Sequence, residues 1–552
     1  MICLAAACAL FIYLGQGKRL SFCDEIYSYT ITNSDRATYQ FDAGRVYSRA
    51  EVEDMLSHTK GDTIVGTLKN VAKDKVHPPL YYIFMYISSV IQGGYSKWIG
   101  LCVNLLFLLG TVGLLWGLMY GVTGNRILAV ASVGVYLFNT STLSDMLLVR
   151  MYMAMTFFAM GLLYHEHKSS EHKFSELKNS KHKYSEHKSS EYKSPELKTS
   201  EHSGSENKPG AGIRFYPWLM LITAGGFLTQ YYFAFFAMAF FVVEFVLYWK
   251  KDRARVKAYF LSMLAAVGLA TVLWPLWLPS MLFNSHAGAI AESATDFVHM
   301  FRKIYEAFRI MQVSVFQRAY VFGMIFVVGL SVAFFISPAV REHRKNIRNL
   351  VMKALAGAFA YAVLVRILTP DYLTSGRYYY PAQMLEITAI LLMLYSLTAE
   401  YAVKGRELVF AGLCVLFIVG DFAGYKYGYG IDYYGDAAVY DEEMAALEEY
   451  STGLWVLTEN NSYQLDAMLP FWCIPEYLVV LDDSEQGEYE ALNQLDGVDR
   501  TIIVSQEYLT DEGFKDNSDR GMYYLIGSTG RFATDELLFQ NGGVLVYKVE
   551  FQ

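Results

Sequence analysis

The sequence predicts a polytopic α-helical membrane protein with a small soluble α/β domain at the C-terminal end of the chain. Hydrophobic residues make up 54% of the 552 residues and charged residues only 18%, a balance that is unusual for a water-soluble globular protein. The charged residues collect in short basic patches, in one polar insert and in the C-terminal quarter. Apolar stretches long enough to cross a bilayer separate them.

The apolar stretches predict about eleven transmembrane helices. The first runs from Met1 to Gly15 and lacks the basic start and the cleavage site of a signal peptide. The stretch Leu80–Ile91 is too short to span and is predicted to be an amphipathic or re-entrant helix at the surface. The other ten spans are predicted at 98–120, 127–144, 147–164, 214–230, 232–249, 258–278, 319–338, 351–368, 380–397 and 407–420.

Three basic patches predict the orientation of the chain, because cytoplasmic loops retain Lys and Arg. The patches cover residues 250–257, 341–353 and 404–406. With these patches in the cytoplasm, counting through eleven spans places the N-terminus in the cytoplasm and the C-terminal domain outside it. We therefore expect a multi-pass protein of the cell membrane whose first long loop, residues 17–97, is extracytoplasmic.

Two segments interrupt or follow the transmembrane domain, which is predicted to cover residues 1–429. Residues 165–212 form a low-complexity cytoplasmic insert with a Glu-x-Lys-x-Ser repeat, predicted to be disordered or transiently helical. A five-residue period scatters its histidines around a helix, which favours an expanded repeat over a metal site. Residues 430–552 are predicted to form the extracytoplasmic α/β domain, with strands at 454–457, 477–481, 501–504, 523–526 and 543–549 and a helix at 485–494.

The first long loop carries an acidic pair at its start and a histidine near its end. Asp24 and Glu25 lie just beyond the first span, where charged groups need water or a polar cavity, although such a pair is also typical of a solvated loop end. Two prolines follow His77 and fix an extended approach to the next helix. A rigid turn followed by an interfacial aromatic belt explains the prolines and Tyr82. It explains His77 less well.

Two arginines are predicted on the same face as this loop. Arg150, with Tyr152 after it, lies near the outer end of the fourth span, where it either snorkels to the interface or faces a cavity that holds an anion. Arg377, with Tyr378, precedes the tenth span, and a positive charge outside the cytoplasm favours a purpose such as phosphate binding. Tyr231 lies at an outer turn and fits the aromatic belt.

Carboxylates, a histidine and arginines on one face can hold a lipid-linked phosphosugar and take the proton of an acceptor hydroxyl. Nucleic acid is not an expected partner, because the net charge is −8 and no basic arm occurs. The six cysteines show no metal-binding spacing. The C-terminal domain contains no phosphate-binding loop and no nucleophile elbow, so a structural or acceptor-contacting role is expected for it.

At these residues the chain resembles the GT-C superfamily of polyprenyl-phosphate-dependent glycosyltransferases, in the branch of the protein O-mannosyltransferases and bacterial aminoarabinose transferases. Four elements carry the resemblance, in order, over residues 5–400. They are the acidic motif Asp24-Glu25, His77-Pro78-Pro79-Leu80-Tyr81-Tyr82, which is similar to [HK]-P-P-L-Y-Y, Arg150-Met151-Tyr152, similar to Arg-x-Tyr, and Arg377-Tyr378 with Pro381, similar to Arg-Tyr-x-x-P.

The resemblance implies a GT-C-like fold and a hexosyl or pentosyl transferase that uses a polyprenyl-phosphate-linked sugar. It implies Asp24 as general base or acceptor anchor, Glu25 as its assistant, and arginines that neutralise the departing phosphate. The substrate-contacting residues are then His77, Tyr82, Arg150, Tyr152, Tyr231, Arg377 and Tyr378. No metal and no cofactor are expected. Membrane lipids are expected partners, and the acceptor is left open among protein, lipid and glycan.

Two rival functions stay open on the sequence. A polytopic transporter or lipid flippase of the cell envelope also fits the topology and the membrane arginines, but it would favour inverted repeats with matching broken helices, and the sequence does not display that symmetry. A noncatalytic relative in envelope assembly would be indicated by a displaced Asp24.

Overall fold

The computed structural model describes residues 1–33, 41–42, 45–170, 216–282, 288, 290, 293, 295–296, 298–370, 375–401, 405–427, 430–432, 434, 437–448, 450, 452–457, 476–481, 500–506, 533–541 and 544–551. Helices dominate this part of the chain. They are α1 Ile2–Gly17, α2 Cys23–Asn33, α3 Arg49–Leu56, α4 Ile64–Asp74, α5 Leu80–Gln92, α6 Trp98–Thr123, α7 Arg126–Phe138, α8 Thr140–Leu147, α9 at 152–170, α10 Pro217–Thr229, α11 Phe233–Tyr248, α12 Arg253–Leu273, α13 Trp277–Leu282, α14 Met300–Phe316, α15 Tyr320–Ile336, α16 Pro338–His343, α17 Lys345–Leu368, α18 Tyr380–Tyr401, α19 Arg406–Tyr427 and α20 Ala437–Leu447.

Six helical units in the described residues are long and apolar enough to cross a membrane, and a seventh results if α7 and α8 count as one bent span. These units are α6, α12, α14 together with α15, α17, the unit Gly376–Glu400 that contains most of α18, and α19. The predicted class, a polytopic α-helical membrane protein, is confirmed. The predicted number of eleven is not confirmed, because three of the helices at predicted spans, α1, α10 and α11, are apolar but have only 10–17 residues.

The predicted span 127–144 is broken rather than straight. α7 and α8 meet at an angle of 66°, and Asn139 lies between them. The side-chain oxygen of Asn139 accepts a hydrogen bond from the N–H of Ser141 and so caps α8. Its amide nitrogen donates to the carbonyl of Val315 at 3.1 Å and to the carboxylate of Asp421 at 3.0 Å. A buried polar side chain therefore fixes the bend against α14 and α19.

The predicted span 147–164 starts later than expected, because residues 148–151 form a link before α9 instead of the first turn of a helix. Asn104 on α6 holds this link by donating to the carbonyls of residues 146 and 148, at 3.2 and 2.6 Å. Gly100 makes room for it, since a Cβ at that position would lie 1.8 Å from Cγ1 of Val149. The close approach to α6 positions the arginine that follows.

The other predicted spans overlap observed helices, and α5 is the short helix that the sequence predicts at Leu80–Ile91. α14 was not predicted. Its charged residues, among them Arg302, Glu306 and Arg309, interrupt the apolar ones, so the segment reads as amphipathic rather than as a membrane span. In the structure α14 continues into α15 through a short 3-10 turn at Gln317–Ala319.

Two of the basic patches meet at one end of the helical bundle. The ammonium of Lys353 on α17 lies 2.5 Å from the carboxylate of Glu166 on α9 and 2.7 Å from that of Glu244 on α11. Arg255 on α12 also pairs with Glu244 and lies 3.6 Å from Glu166. The opposite ends of α11 and α17 lead to Tyr231 and Arg377, so these patches and the predicted site lie at opposite ends of the same helices.

In the part of the chain that the structure describes, six strands form one mixed sheet in the order β1-β3-β2-β4-β6-β5. β2 pairs in parallel with β3 and β4, and the other pairs are antiparallel. β1 comes from the first long loop and pairs with β3, so residues 430–552 do not build the sheet alone. The strands are β1 Val46–Ser48, β2 Thr452–Leu457, β3 Glu476–Leu481, β4 Arg500–Gln506, β5 Ala533–Asn541 and β6 Val544–Phe551.

β2, β3, β4 and β6 correspond to predicted strands, whereas β1 and β5 were not predicted. The predicted strand 523–526 and the predicted helix 485–494 lie outside the described residues. The start of the predicted insert, residues 165–170, is the end of α9, and the rest of the insert also lies outside the described residues.

Candidate functional site

α2 carries the acidic pair on what we call the Asp24 face, the end of the bundle that also holds Arg150 and Arg377. α2 begins at Cys23, so Asp24 and Glu25 occupy its first turn, where carboxylates interact favourably with the free N–H groups of a helix start. The side chain of Asp24 keeps 22% of its surface exposed, while Glu25 is 1% exposed. The two carboxylates are therefore in different environments.

Two guanidinium groups face the carboxylate of Asp24. Its Oδ2 lies 3.0 Å from Nη2 of Arg377 and 3.9 Å from Nε of Arg150. Burial disfavours the charged carboxylate, but the positive charges of Arg150 and Arg377 outweigh it and hold the pKa of Asp24 below its ordinary value. Asp24 is therefore ionised at neutral pH and can accept a proton.

Arg377 lies in the 3-10 turn Gly376–Tyr379 that precedes α18. Its Nη1 donates to the hydroxyl of Ser375 at 3.1 Å. The guanidinium plane lies over the ring of Phe22 at 4.4 Å and near that of Tyr378 at 5.1 Å, which are distances at which cation–π attraction operates. These contacts leave Arg377 in one orientation, with its charge directed at Asp24.

Arg150 is 3% exposed and lies in the link before α9. Its Nη1 donates to the backbone carbonyl of Asp24 and to the hydroxyl of Ser28, both at 3.1 Å, and lies 3.4 Å from the hydroxyl of Tyr82. Its Nη2 lies 2.8 Å from Nε2 of His77. The sequence left two interpretations open for Arg150, and these contacts show that it is buried among polar groups rather than snorkelling to an interface.

Asp74 joins the site, and sequence reasoning missed it. An arginine only donates hydrogen bonds, so Nε2 of His77 accepts from Arg150 and the ring proton sits on Nδ1. Nδ1 lies 2.8 Å from Oδ2 of Asp74, which also accepts from the N–H of His77 at 2.9 Å. Tyr27 donates to the other oxygen of Asp74. The sequence did contain a signal for Asp74. It lies three residues before His77, at the end of a helix, where the two side chains can meet.

These bonds form one polar chain from Asp74 through His77 and Arg150 to Asp24. Burial disfavours the charged form of Asp74, but its bonds with His77 and Tyr27 hold the pKa of that carboxyl far below its ordinary value. A permanently charged Asp74 keeps the proton of His77 on Nδ1. The second ring nitrogen then remains an acceptor that orients Arg150.

Glu25 is held on all sides and does not face the same space as Asp24. The ammonium of Lys18 lies 2.9 Å from both of its oxygens. The N–H of Phe22 and the N–H of Val149 each donate to it at 2.7 Å. Glu25 therefore connects the end of α1, the start of α2 and the link that carries Arg150.

We expect Glu25→Ala to destabilise the protein by about 3–5 kcal/mol, because it leaves the ammonium of Lys18 buried without its partner. Thermal unfolding of the purified protein in detergent measures this. The matched control is Glu53→Ala, which removes a carboxylate that pairs with Arg49 in an exposed contact and should cost less than about 1 kcal/mol. Equal unfolding temperatures for the two variants would contradict the bracing role of Glu25.

The predicted tyrosines divide between two clusters. Tyr152 is 2% exposed and packs with Leu148 and Tyr380, and its ring meets that of Tyr378 edge to face at 5.7 Å. This cluster borders Arg377. Tyr231 packs instead with Tyr27, Tyr82 and their neighbours and accepts a hydrogen bond from Trp274 at 3.2 Å. Tyr231 therefore lies beside the polar chain without a described contact to Asp24 or Arg377.

The fold and the site define a polytopic α-helical membrane protein with an accessible carboxylate between two buried guanidinium groups on one face. Such a site can take a proton and stabilise a phosphate anion at neighbouring positions. Within the described residues, no group of three His, Cys, Asp or Glu side chains is arranged to hold a metal ion.

Comparisons with known proteins found no matching family model and no matching curated protein. The crystal structure of ArnT from Cupriavidus metallidurans bound to undecaprenyl phosphate matches with a TM-score of 0.48 and 11% identity, over 99% of this chain and 97% of that chain. The apo state of that protein gives 0.47 and 10% over the same shares. The apo oligosaccharyltransferase of Archaeoglobus fulgidus gives 0.37 and 9%, over 91% of this chain and 69% of that chain.

Proposed function

We propose that this protein is a membrane glycosyltransferase of the GT-C kind, which moves a sugar from a polyprenyl-phosphate donor to an acceptor on the Asp24 face. We place this face outside the cytoplasm, following the positive charges at the other end of the bundle. The observation that carries the proposal is the 3.0 Å contact between Asp24 and Arg377, two residues that lie far apart in the sequence. A transfer site needs a base and a phosphate-binding cation that can reach the same substrate, and this contact puts the two groups in one place.

In the proposed reaction Asp24 accepts the proton of the acceptor hydroxyl while the hydroxyl oxygen bonds to the anomeric carbon of the sugar. The bond between that carbon and the phosphate oxygen breaks, and its electron pair leaves with the polyprenyl phosphate. Arg377 and Arg150 stabilise the negative charge that develops on the phosphate. When the donor binds, its phosphate competes for the guanidinium of Arg377 and frees the carboxylate of Asp24 for the acceptor.

The remaining site residues receive supporting roles in this proposal. Glu25 positions α2 and the link before α9 and takes no proton, since both of its oxygens are already bonded. Tyr152 and Tyr378 form the wall beside Arg377, where a sugar ring can pack against an aromatic face. His77 and Tyr82 hold Arg150, and Tyr231 supports the packing behind them.

The direct test is transfer by the purified full-length protein from a panel of radiolabelled undecaprenyl-phosphate sugars, with envelope lipids, glycans and proteins supplied as acceptors. We expect a labelled product and free undecaprenyl phosphate in equal amounts with at least one donor. The rival function, a transporter or flippase, predicts movement of intact donor across the membrane of a proteoliposome. Movement of intact donor with no cleavage of any sugar would exclude the transferase.

We expect Asp74→Asn to reduce kcat by about 10–100-fold, the usual effect of losing a partner that orients a site residue from behind. Asparagine can donate to Nδ1 of His77 and so move the ring proton to Nε2, where it points at Arg150 with no acceptor between them. Asp74→Glu keeps the charge and should recover part of the rate. A purely structural role predicts instead a lower unfolding temperature with unchanged kcat, and initial-rate kinetics with a melting curve separate the two.

A further inference from the structure

A second group of cations lies on the Asp24 face, apart from Arg150 and Arg377. A cavity of about 270 Å³ is lined by Lys18, Arg19, Arg49 and Lys97, with Tyr95 and Tyr440 among its other walls. We call these six residues the basic pocket. The cavity joins the end of α1 and the link before α6 to α3 and α20. The reaction proposed above does not use any of these cations.

The carboxylates near the basic pocket offset its charge only in part. Glu25 neutralises Lys18. Glu53 also lines the cavity and pairs with Arg49, but the side chain of Arg49 is 58% exposed, so water and salt screen that pair. Arg19 lies 3.7 Å from Asp441, a carboxylate that is 66% exposed. Within the described part of the chain, no carboxylate lies within ion-pair distance of Lys97.

The ammonium of Lys97 is fixed by two hydrogen bonds and keeps one N–H donor for a ligand. Its Nζ donates to the carbonyls of Lys18 at 2.7 Å and Gln16 at 3.2 Å. The ammonium of Lys97 therefore caps the C-terminal end of α1. An ammonium has three donors, so the capping role leaves one. Burial is the main reason that the pKa of Lys97 is lowered to about 8, and the positive charges of Arg19 and Lys18 add to the effect.

We infer that the basic pocket binds a phosphate group, at a place distinct from the proposed donor phosphate at Arg377. Ammonium and guanidinium groups bind the oxygens of a phosphate, and the cavity lined by Arg19, Arg49 and Lys97 has room for a phosphate with a small attached group. The phosphate belongs either to a water-soluble molecule or to the headgroup of an anionic phospholipid in the bilayer. The inference rests on the pocket alone and does not require the proposed transferase activity.

The test measures the reactivity of Lys97 in the purified full-length protein. Acetic anhydride acylates neutral amines, so Lys97 should react faster than lysines of ordinary pKa, and mass spectrometry of peptides gives the rate at each lysine. Inorganic phosphate, compared with sodium chloride of equal ionic strength, should slow acylation of Lys97 by roughly tenfold, as expected for a charge-assisted bond that occupies the amine. Lys69, an exposed lysine of α4, is the internal control and should not change.

A second arm distinguishes the two sources of phosphate. Nanodiscs of phosphatidylglycerol are compared with nanodiscs of phosphatidylcholine, without inorganic phosphate. Protection of Lys97 in phosphatidylglycerol alone assigns the pocket to a bilayer headgroup, and protection by inorganic phosphate in detergent assigns it to a soluble phosphate. Arg19→Ala should remove the protection in either case, while the unfolding temperature verifies that this variant is folded. Equal acylation of Lys97 under all conditions, or protection that persists in folded Arg19→Ala, would overturn the inference.

Discussion

Asp24→Asn is expected to reduce the rate of sugar transfer by about 100- to 10,000-fold, the range for loss of a general base. Asparagine keeps the size and the polar contacts of the side chain but cannot take the proton of the acceptor hydroxyl. The effect should appear in kcat, because the phosphate of the donor binds to the arginines. Initial rates with a saturating radiolabelled donor measure it.

The control for this variant is Asp54→Asn, which changes an exposed carboxylate of the same loop and should leave the rate unchanged. The pKa of Asp24 is held below its ordinary value, so protonation of this carboxylate lowers the rate of transfer only below about pH 4. It causes no change in the rate between pH 5 and 7. Equal turnover by the wild type and Asp24→Asn would remove the base assignment. The contact with Arg377 would then be a structural ion pair.

Arg377→Ala is expected to lower kcat for transfer by about 100- to 1,000-fold, the effect of removing one donor that stabilises charge in a transition state. The donor should also bind more weakly, so its KM should rise. Arg377→Lys should recover only part of the loss, because an ammonium is a point charge without the paired donors of a guanidinium. Steady-state kinetics with varied donor concentration separate the two parameters.

Arg309→Ala removes an exposed arginine from α14 and is the matched control for charge. Since Arg377 also faces Asp24 and packs on Phe22, its loss can disturb the start of α2, and a melting curve of Arg377→Ala detects that. A folded Arg377→Ala protein that keeps wild-type kcat and donor KM would contradict phosphate binding by this residue.

Several features of the site were predictable from local sequence. Long apolar stretches and the distribution of Lys and Arg predicted a polytopic protein, and the structure confirms that class. The same charge rule assigned Asp24, His77, Arg150 and Arg377 to one face, and the structure brings these four side chains together. Hydrophobicity and charge decide how each segment interacts with membrane and water, so topology can be predicted without knowing which distant residues the segment contacts.

Other features depended on contacts that local patterns do not contain. The break at Asn139 exists because its amide bonds to α14 and α19, which lie far away in the chain. α14 was missed because charged residues interrupt its apolar pattern, and the partner of one of them lies on a distant helix: Glu306 is 2.5 Å from Arg366 of α17. β1 belongs to the sheet only because β3 supplies its partner.

The sequence by itself determined that this is a multi-pass membrane protein with carboxylates and guanidiniums gathered on one face, because hydropathy and charge are properties of each segment. Only the tertiary structure decided which surroundings each of the two adjacent carboxylates has. Glu25 is enclosed by Lys18 and two backbone N–H groups, whereas Asp24 stays partly exposed beside Arg377. Neighbouring residues on a helix point about 100° apart, so what each one meets depends on the elements packed against that side.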